Sequence, residues 1–569
     1  MSLNTLVDYI SNSQITSELI KRISKNNELN IVGSSRYAKS IILDSIAKKE
    51  EKNILLICPN VEIAYKWIGY FESINDKTVL YYPPTEHLPY SSINKSKEIE
   101  FSQLTVLSKL IKKEKNELNI VISTERSLQP HLINKNLLIE NKLDLQKGVQ
   151  IEIQELANKL TLLGYTKDNV TSTEGFWSRR GEIIDIYPVN NEFPIRLEFF
   201  DNVIEKIREY DPHTQKTLES INNIEIIQAG FDLLIKDKLN NLSKNNLFNS
   251  EDINKNNLDR YLGIIEEQPY NIIDFINRET ILVIDELEDC KKFAKNWYLD
   301  SESNFENCRY ELNENLKNND INLEAKNNLH LKFDEILKSL GNFNLIKFYE
   351  FESKMNIDNR FLLNDKRLNS YSKNVGKLST DINKNIKNNE KVWILSAQPL
   401  RTRTLLFEHE CNANFLNNPN DIDEAYKSIN NSTPLILKNK NNYEIEGFYL
   451  PIWKVVLITD KELFSQQSFF NNVFIRRKKR SVNSNINVNK ISPGDFIVHK
   501  NHGIGKFLKI EKINITGDSR DYLVIQYQDG KISVAADQLG SVNRYRSSGK
   551  IKPKINKLGG TEWEKIKEK

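Results

Sequence analysis

Cysteine is scarce in this sequence, and the few cysteines lie far apart. Only four occur among the 569 residues: Cys58, Cys290, Cys308 and Cys411. Without CxxC spacing they exclude a disulfide framework and a cysteine-based zinc site, and they fit a reducing compartment. His499 and His502 stand three residues apart without a nearby cysteine or carboxylate cluster. We therefore predict no metal site.

Long apolar runs and a strong net charge are also missing. No stretch approaches the ~18 consecutive apolar residues of a membrane span, and the N-terminal MSLNTLVDYISNSQ lacks the pattern of a secretion signal. The net charge of +3 is the difference between 80 basic and 77 acidic residues, so charge alone does not indicate a nucleic-acid partner. We expect a cytoplasmic monomer without membrane contact, with roughly four domains for this length.

The N-terminal part has the pattern of a parallel α/β domain. Apolar runs of four to six residues, at 29–32, 53–58, 78–82 and 118–123, alternate with amphipathic helices. This pattern is typical of a parallel sheet covered by helices on both faces. It changes near Leu143, returns after Ile227, and includes a further strand at 281–284. We therefore expect a second domain inserted into the first.

The inserted stretch predicts antiparallel strands joined by hairpins. Apolar and polar residues alternate at 182–187, 194–200 and 203–210, with turn-forming residues between the runs. On the solvent side we place three arginines beside three aromatic residues: Arg180, Arg196, Arg208, Trp177, Phe199 and Phe200. Arginine beside exposed aromatic surface is typical of protein–protein contacts. An ordinary sheet with a solvated face is the alternative.

The segment GSSRYAKS resembles a phosphate-binding loop with one residue changed. It follows a strand, opens a helix, and differs from GxxxxGK[ST] only at the glycine before the lysine. Downstream, ILVIDE copies a strand that would hold Mg²⁺ and polarise water. The residues of this degenerate nucleotide site are Gly33, Ala38, Lys39, Ser40, Asp285 and Glu286.

Two interpretations of that segment remain: an ATPase, or an inherited fold whose nucleotide site no longer works. A glycine before the lysine would permit close approach of the backbone to phosphate, whereas Ala38 carries a Cβ. The stretch 391–463 shows no recognisable second motor lobe. We favour the scaffold that does not hydrolyse nucleotide, and we predict no catalytic residue and no cofactor in this chain.

The C-terminal part predicts a small α/β domain, a linker and a small β-barrel. Strand and helix patterns occupy 391–463, and RRKKR at 476–480 opens a stretch rich in Asn and Ser. That stretch is either a solvated tether, which we favour, or a nucleic-acid contact. Five short runs within 493–546, with a hairpin signal at Asp529-Gly530, indicate the barrel.

Four motifs, in family order, resemble the bacterial transcription-repair coupling factor (Mfd) family. RRGEIIDIYP…IRLEFFDNVIEKIREYDPHTQ is similar to the domain that Mfd shares with UvrB, and PPTEHLPY is similar to a segment of Mfd's first domain. PGDFIVHKNHGIGKFLKI…DYLVIQYQDGKISVAADQL resembles the RNA polymerase-interacting domain, a relative of CarD. KLGGTEWEK is similar to the helix that leads into the motor.

This resemblance implies a multidomain α/β and β architecture with a Tudor-like or CarD-like barrel at the C-terminal end. The expected domains are a UvrB-like α/β domain at 1–140 and 231–388, an inserted α+β UvrA-docking domain at 141–230, a small α/β domain at 389–475, a basic linker at 476–490, the barrel at 491–550, and the start of a linker helix at 551–569.

The resemblance also implies partners. UvrA would dock on Arg180, Arg196 and Phe200, and the RNA polymerase β subunit on Tyr522, Leu523 and Ile525. For the latter contact we expect the run 521–527 to offer an exposed strand edge.

The expected function is an adaptor between stalled RNA polymerase and nucleotide excision repair. In the complete family protein, a motor would use ATP and Mg²⁺ to translocate on DNA and release the polymerase, and we expect that motor to lie outside this chain. The alternative is an active UvrB-like enzyme that binds damaged DNA with nucleotide. No tyrosine-rich hairpin like that of UvrB stands between 88 and 118, which favours the adaptor.

Overall fold

The chain forms two compact units, Met1–Arg476 and Arg477–Lys569. A computed structural model describes residues 3–74, 79–85, 87–91, 96–111, 119–212, 214–244, 258–266, 268–315, 327–351, 359–371, 374–416, 422–439, 445–464, 494–499, 503–515, 518–535, 542–544 and 555–556. The predicted basic linker at 476–490 and the tail KLGGTEWEK lie outside the described residues.

Strands and helices alternate through the first part of the chain, as the apolar runs predict. All five residues of Ile54–Cys58 are buried, which explains the absence of polar alternation there. The elements are α1 (Asn4–Ser11), α2 (Gln14–Asn26), β1 (Glu28–Val32), α3 (Arg36–Glu50), β2 (Ile54–Cys58), α4 (Val61–Ile74), β3 (Val79–Tyr81), α5 (Lys97–Ile111), β4 (Ile120–Thr124) and α6 (Lys135–Glu140).

The next part of the chain builds two separate sheets. Its elements are β5 (Lys142–Gln146), α7 (Ile153–Leu162), β6 (Thr166–Lys167), β7 (Phe176–Arg180), β8 (Ile183–Ile186), β9 (Ile195–Phe200), β10 (Val203–Tyr210), β11 (Thr217–Ile221) and β12 (Asn223–Ile227). Six strands pair in the order β11-β10-β9-β8-β7-β6, and β12 pairs with β5. The neighbours from β7 to β11 are antiparallel, as predicted.

The chain then returns to the first sheet. The elements are α8 (Asp232–Lys244), α9 (Leu262–Ile265), β13 (Ile281–Asp285), α10 (Leu287–Asn315), α11 (Phe333–Ser339), β14 (Asn344–Tyr349) and β15 (Arg360–Leu362). Seven parallel strands pair in the order β15-β1-β14-β13-β2-β4-β3. The predicted parallel α/β sheet is confirmed, and β13 lies inside it although most of the preceding strands belong to other sheets.

Alternate residues of each central strand enter different cores. Leu55 and Ile57 pack in one hydrophobic cluster, whereas Ile54 and Leu56 pack in the other. Each fully buried aliphatic side chain contributes ~1.5–3 kcal/mol relative to an exposed one. Burial of both faces therefore fixes the strand register, and with it the edge of the sheet where the strands end.

A six-stranded sheet with parallel and antiparallel pairs, called the mixed sheet below, completes the first unit. Its elements are β16 (Lys366–Arg367), α12 (Val375–Lys387), β17 (Lys391–Ser396), α13 (Pro399–Glu408), β18 (Asn414–Phe415), α14 (Ile422–Asn430), β19 (Leu435–Lys438), β20 (Phe448–Leu450), β21 (Val455–Thr459) and α15 (Asp460–Phe464). The strand order is β16-β20-β21-β17-β19-β18, and the central β17 is parallel to both neighbours.

The second unit contains an antiparallel sheet. Its strands are β22 (Phe496–His499), β23 (Gly503–Ile515), β24 (Asp518–Gln526), β25 (Lys531–Ala535) and β26 (Val542–Arg544). They pair in the order β25-β24-β23-β22-β26. Closure of this sheet into a barrel stays a prediction. Across the described residues of both units, no helix is long and apolar enough to cross a membrane.

Candidate functional site

The degenerate phosphate loop is shorter than its sequence pattern predicts. β1 ends at Val32 and α3 begins at Arg36, so three residues connect them. Ser35 caps the helix, because its Oγ accepts a hydrogen bond from the Ala38 N–H at 3.1 Å. The Lys39 N–H already donates to the Ser35 carbonyl at 3.1 Å. Backbone N–H groups that would surround a phosphate are therefore used inside the helix.

A carboxylate of the chain itself binds the N–H groups that remain in the loop. Asp365 Oδ1 accepts from the Ser34 N–H at 2.9 Å, and Asp365 Oδ2 accepts from the Ser35 N–H at 2.7 Å. The Ser34 hydroxyl donates to Oδ2 at 2.9 Å. Backbone N–H groups before a helix attract anions. The Asp365 carboxylate thus takes the place in which a phosphate group would be bound.

The expected magnesium ligand is also engaged by the protein. Asp285 is fully buried, and its Oδ2 accepts from Arg36 Nε and from Trp67 Nε1, each at 2.9 Å. Burial lowers the pKa of Arg36, but the attraction of Asp285, Glu286 and Glu350 and the hydrogen bond to Asp285 together raise it overall, so the guanidinium stays charged. An arginine paired to the carboxylate opposes cation binding at the same oxygen.

Lys39 is buried and directed at the backbone. Its Nζ donates to the Tyr349 carbonyl oxygen at 3.0 Å and lies 5.5 Å from the centre of the Phe348 ring. Burial lowers the pKa of Lys39, against the attraction of Asp285. Ser40 is buried as well, and its hydroxyl donates to the Tyr37 carbonyl at 2.7 Å. Both side chains of the KS pair therefore have partners within the protein.

The structure brings the predicted residues of the nucleotide site together, and it shows which contacts within the protein occupy the loop. Ala38 lies in the first turn of α3, where its N–H completes the helix cap. Gly33 has a packing role, because a Cβ there would lie 2.7 Å from Asp365 Oδ1. The residues that close the loop are Arg36 and Asp365. Asp365 gave no signal in the sequence, because it lies more than 300 residues after the loop.

A similar contact occurs in the mixed sheet. At the end of β17, the Asp460 carboxylate accepts from the Ser396 hydroxyl at 2.7 Å and from the Ala397 N–H at 2.6 Å. Burial raises the pKa of Asp460, against these two hydrogen bonds. In the seven-stranded sheet and in the mixed sheet alike, an internal carboxylate therefore binds a loop that precedes a helix.

The inserted sheet carries an arginine cluster on one face. Asp185 is 1% exposed and accepts from Arg180 at 2.8 Å and from Arg196 Nε and Nη2 at 2.7 and 2.9 Å. The Arg196 guanidinium also lies 4.5 Å from the centre of the Tyr210 ring. The hydrogen bonds to Asp185 raise the pKa of Arg196. A bidentate pair of this kind holds the guanidinium plane in one orientation.

Phe200 extends from the same face and is 71% exposed. Residues 196, 198 and 200 of β9 share that face because side chains alternate along a strand. Arg208 lies opposite Arg196 in the register and pairs with Glu198 at 3.1 Å. The face therefore presents an aromatic side chain within a network of oriented charges.

Two aromatic residues expected beside these arginines lie on the opposite face. Trp177 is 3% exposed and Phe199 is 5% exposed, and both belong to the hydrophobic core. Their placement on the solvent side was wrong: Phe199 alternates with exposed Phe200 and points inward, and Trp177 is buried beside Ser178, which is buried as well.

The run 521–527 is not a free strand edge. It lies mostly in β24, which pairs with β23 on one side and with β25 on the other. Leu523 is 1% exposed and Ile525 is fully buried, and Val524 between them is 6% exposed. Tyr522 pairs with Glu511 and Ala535 in the register. The expected edge at this strand was wrong, because the strand is internal to the sheet.

The described part of the chain offers no metal site. Among the described residues, no group of three His, Cys, Asp or Glu side chains could hold a metal ion. Glu125 and His330 are buried polar residues that sequence reasoning did not single out. Burial raises the pKa of Glu125 to about 7 and lowers that of His330 to about 4.

Family models match three parts of the chain. Residues 143–230 match the UvrB interaction domain, residues 367–465 match the Rossmann-like domain of cyanobacterial Mfd, and residues 491–546 match the CarD-like/TRCF RID domain. The first match contains the arginine cluster and Phe200, and the third contains the sheet of the second unit.

Relatives match over nearly the whole chain. The transcription-repair-coupling factor of Bacillus subtilis is 27% identical over 580 residues, covering 95% of this chain and 47% of the relative. Those of Staphylococcus epidermidis and Staphylococcus haemolyticus are 25% and 24% identical, each covering 99% of this chain and 49% of the relative. The chain spans about half the length of these relatives.

The chain is thus a multidomain protein whose parts match, in chain order, the UvrB interaction domain, the Rossmann-like domain of cyanobacterial Mfd and the CarD-like/TRCF RID domain. It corresponds to the N-terminal region of the transcription-repair-coupling factors. The resemblance to the Mfd family is confirmed.

The Asp365 contact makes a first prediction about stability. Asp365→Ala removes three hydrogen bonds to a charged acceptor and should lower the free energy of unfolding of the first unit by about 1–2 kcal/mol. Denaturant unfolding followed by tryptophan fluorescence measures this change. Asp300→Ala, at an exposed site of α10, is the control and should stay within about 0.5 kcal/mol of wild type. Equal losses in the two variants would contradict a specific role for Asp365.

Glu286 makes a prediction about pH. Burial and the neighbouring Asp285 raise the pKa of Glu286 from 4.5 to about 7. The folded protein then holds a proton that the unfolded chain releases, so stability is lost as pH rises from about 4.5 to 7. Glu286→Gln removes this loss, and its stability relative to wild type should increase by about 1–3 kcal/mol between pH 5 and pH 8.

Unfolding free energies across that pH range test this expectation. The matched control is Glu288→Gln, whose side chain is 66% exposed. A Glu286→Gln advantage that is independent of pH would show that the proton is not the cause.

Leu523→Arg makes a prediction about the second unit. An arginine at this buried position would place an unpaired charge in the core, so we expect the unit to unfold. The rate of limited proteolysis within residues 477–569 measures this outcome. Lys531→Arg, at an exposed position, is the control. A variant that resists proteolysis like wild type would show that Leu523 can turn outward.

Proposed function

We propose that this chain is a docking adaptor that links RNA polymerase to nucleotide excision repair. It would bind UvrA through the inserted sheet and the RNA polymerase β subunit through the second unit. The observation that carries the proposal is the arginine cluster beside exposed Phe200, within the part that matches the UvrB interaction domain. The domain boundaries given for the sequence are part of the same proposal.

The geometry of the inserted sheet supports UvrA docking. Asp185 holds Arg180 and Arg196 in fixed orientations, so little side-chain freedom is lost when a partner binds. The Arg180 side chain is 54% exposed and can donate further hydrogen bonds. Phe200 offers the kind of aromatic anchor that dominates many interfaces.

Phe200→Ala and Arg196→Ala should both weaken UvrA binding, but only Arg196→Ala should also lower stability. Phe200→Ala should weaken UvrA binding by ~2 kcal/mol, about thirtyfold, and leave folding unchanged because the ring is exposed. Arg196→Ala should weaken UvrA binding and also lower stability, because buried Asp185 loses two hydrogen bonds. Binding to immobilised UvrA and thermal melting measure the two effects separately.

Leu162→Ala is the matched control for this experiment. Leu162 is 74% exposed at the end of α7, so the substitution also removes exposed apolar area from the part that matches the UvrB interaction domain. Its UvrA affinity should stay within twofold of wild type. If Phe200→Ala and Arg196→Ala both bind like this control, the face is not the UvrA site.

For the polymerase, we infer that the second unit is a small barrel that docks through a sheet edge near β24. Tyr522, Leu523 and Ile525 would contribute by ordering this strand, since Leu523 and Ile525 are buried. In the described residues β25 pairs on one side only, with β24. It is therefore the edge that we propose extends a strand of the polymerase β subunit. Loss of β-subunit capture on deletion of 491–546, with UvrA binding retained, would support this arrangement, and capture that persists would overturn it.

We assign no nucleotide turnover to this chain, because Asp365 and Arg36 engage the groups that would bind phosphate and Mg²⁺. ATP- and Mg²⁺-dependent translocation on DNA belongs, in this proposal, to the motor of the complete family protein. The alternative is a UvrB-like nucleotide-dependent enzyme, and the presence of Lys39 supports it. An ATP titration by calorimetry decides between the two hypotheses. Micromolar ATP affinity that Lys39→Ala abolishes would favour the nucleotide-dependent enzyme.

A further inference from the structure

A cavity of about 300 Å³ lies in the first unit, and its lining includes none of the residues of the proposed UvrA-docking face. Helices α5 and α6 form one side of it, and the paired strands β5 and β12 form the other. Its lining is mainly aliphatic and includes Leu104, Leu138 and Ile227, which are at least nine-tenths buried. This volume is at the lower end of the range of small-molecule sites.

One polar side chain in this lining has no partner. Gln228 is 3% exposed, and neither its Oε1 nor its Nε2 makes a hydrogen bond to the described part of the protein. A buried amide left in this state is costly, because it has lost its hydrogen bonds to water without gaining others. A molecule that supplied one donor and one acceptor would recover that free energy.

The backbone around Gln228 is fixed on both sides. The Tyr165 hydroxyl donates to the Ile227 carbonyl at 2.8 Å, and the Ala229 N–H donates to the Leu163 carbonyl at 2.7 Å. The amide is therefore carried by a rigid segment, which reduces the entropy that a ligand would have to remove.

The remaining polar groups of the lining are engaged elsewhere. Lys142 Nζ donates to Glu225 at 2.8 Å, and the hydrogen bond to Glu225 raises the pKa of Lys142, so this pair stays ionised and mutually neutral. The Ser108 hydroxyl donates to the Thr105 carbonyl at 2.9 Å. The cavity thus offers no net charge to a ligand, which favours a neutral one.

We propose that this cavity is a binding site for a small, neutral, planar apolar molecule whose edge carries adjacent C=O and N–H groups, such as an aryl carboxamide. The aliphatic walls would cover the ring, and Gln228 would pair with the edge through two antiparallel hydrogen bonds. This inference does not depend on the proposed docking function.

Benzamide is the probe that tests the proposal, with the whole chain and titration calorimetry. Benzamide should bind. Benzoate should bind at least tenfold more weakly because it is charged, and so should ethylbenzene because it lacks the C=O and N–H groups. Gln228→Met keeps the size of the side chain and removes its amide. This substitution should weaken benzamide binding at least tenfold and raise the melting temperature of the free protein.

Ser108→Ala is the control, since its hydroxyl is used locally, and its benzamide affinity should stay within twofold of wild type. Ethylbenzene that still binds to Gln228→Met with wild-type affinity would show that the cavity is intact in that variant. The proposal is overturned if benzamide does not bind to wild type, if ethylbenzene binds equally well, or if Gln228→Met retains benzamide binding.

Discussion

Burial of both faces of the seven-stranded sheet is the constraint on which the first unit depends. A parallel sheet covered on both sides can shift its register only by moving apolar side chains between two cores. The fixed order β1-β14-β13 therefore brings the ends of three strands together. As a result Lys39 can reach the Tyr349 carbonyl, and Arg36 can reach Asp285. The chemistry of the loop follows from packing far from it.

Much of this architecture could be predicted because a short, continuous apolar run between helices is compatible with few other folds. The strands at 54–58 and 455–459 are buried at every position, as expected for a covered parallel sheet. The phosphate loop was also recognisable from its position between a strand and a helix. Its occupant, Asp365, was not, because a contact across more than 300 residues leaves no local pattern.

Two errors have different physical origins. Phe199 alternates with residues of the solvent face, so a strict period of two would have placed it in the core. In β7 no such alternation marks Trp177, since Ser178 is buried beside it. In β24 the period itself fails, since Leu523, Val524 and Ile525 are all buried in succession. Such a strand has apolar contacts on both of its faces, and sequence alone does not distinguish it from an exposed apolar edge.

The Asp365 contact has a consequence for how this chain can evolve. Asp365 lies in the three-residue connection between β15, at an edge of the seven-stranded sheet, and β16, at an edge of the mixed sheet. The loop between β1 and α3 is thus a joint between two sheets. Ala38→Gly would restore the GxxxxGK[ST] pattern, yet the carboxylate and the Arg36 pair would remain in place. A nucleotide site at this loop would therefore require several changes at once, and the early ones would loosen the joint.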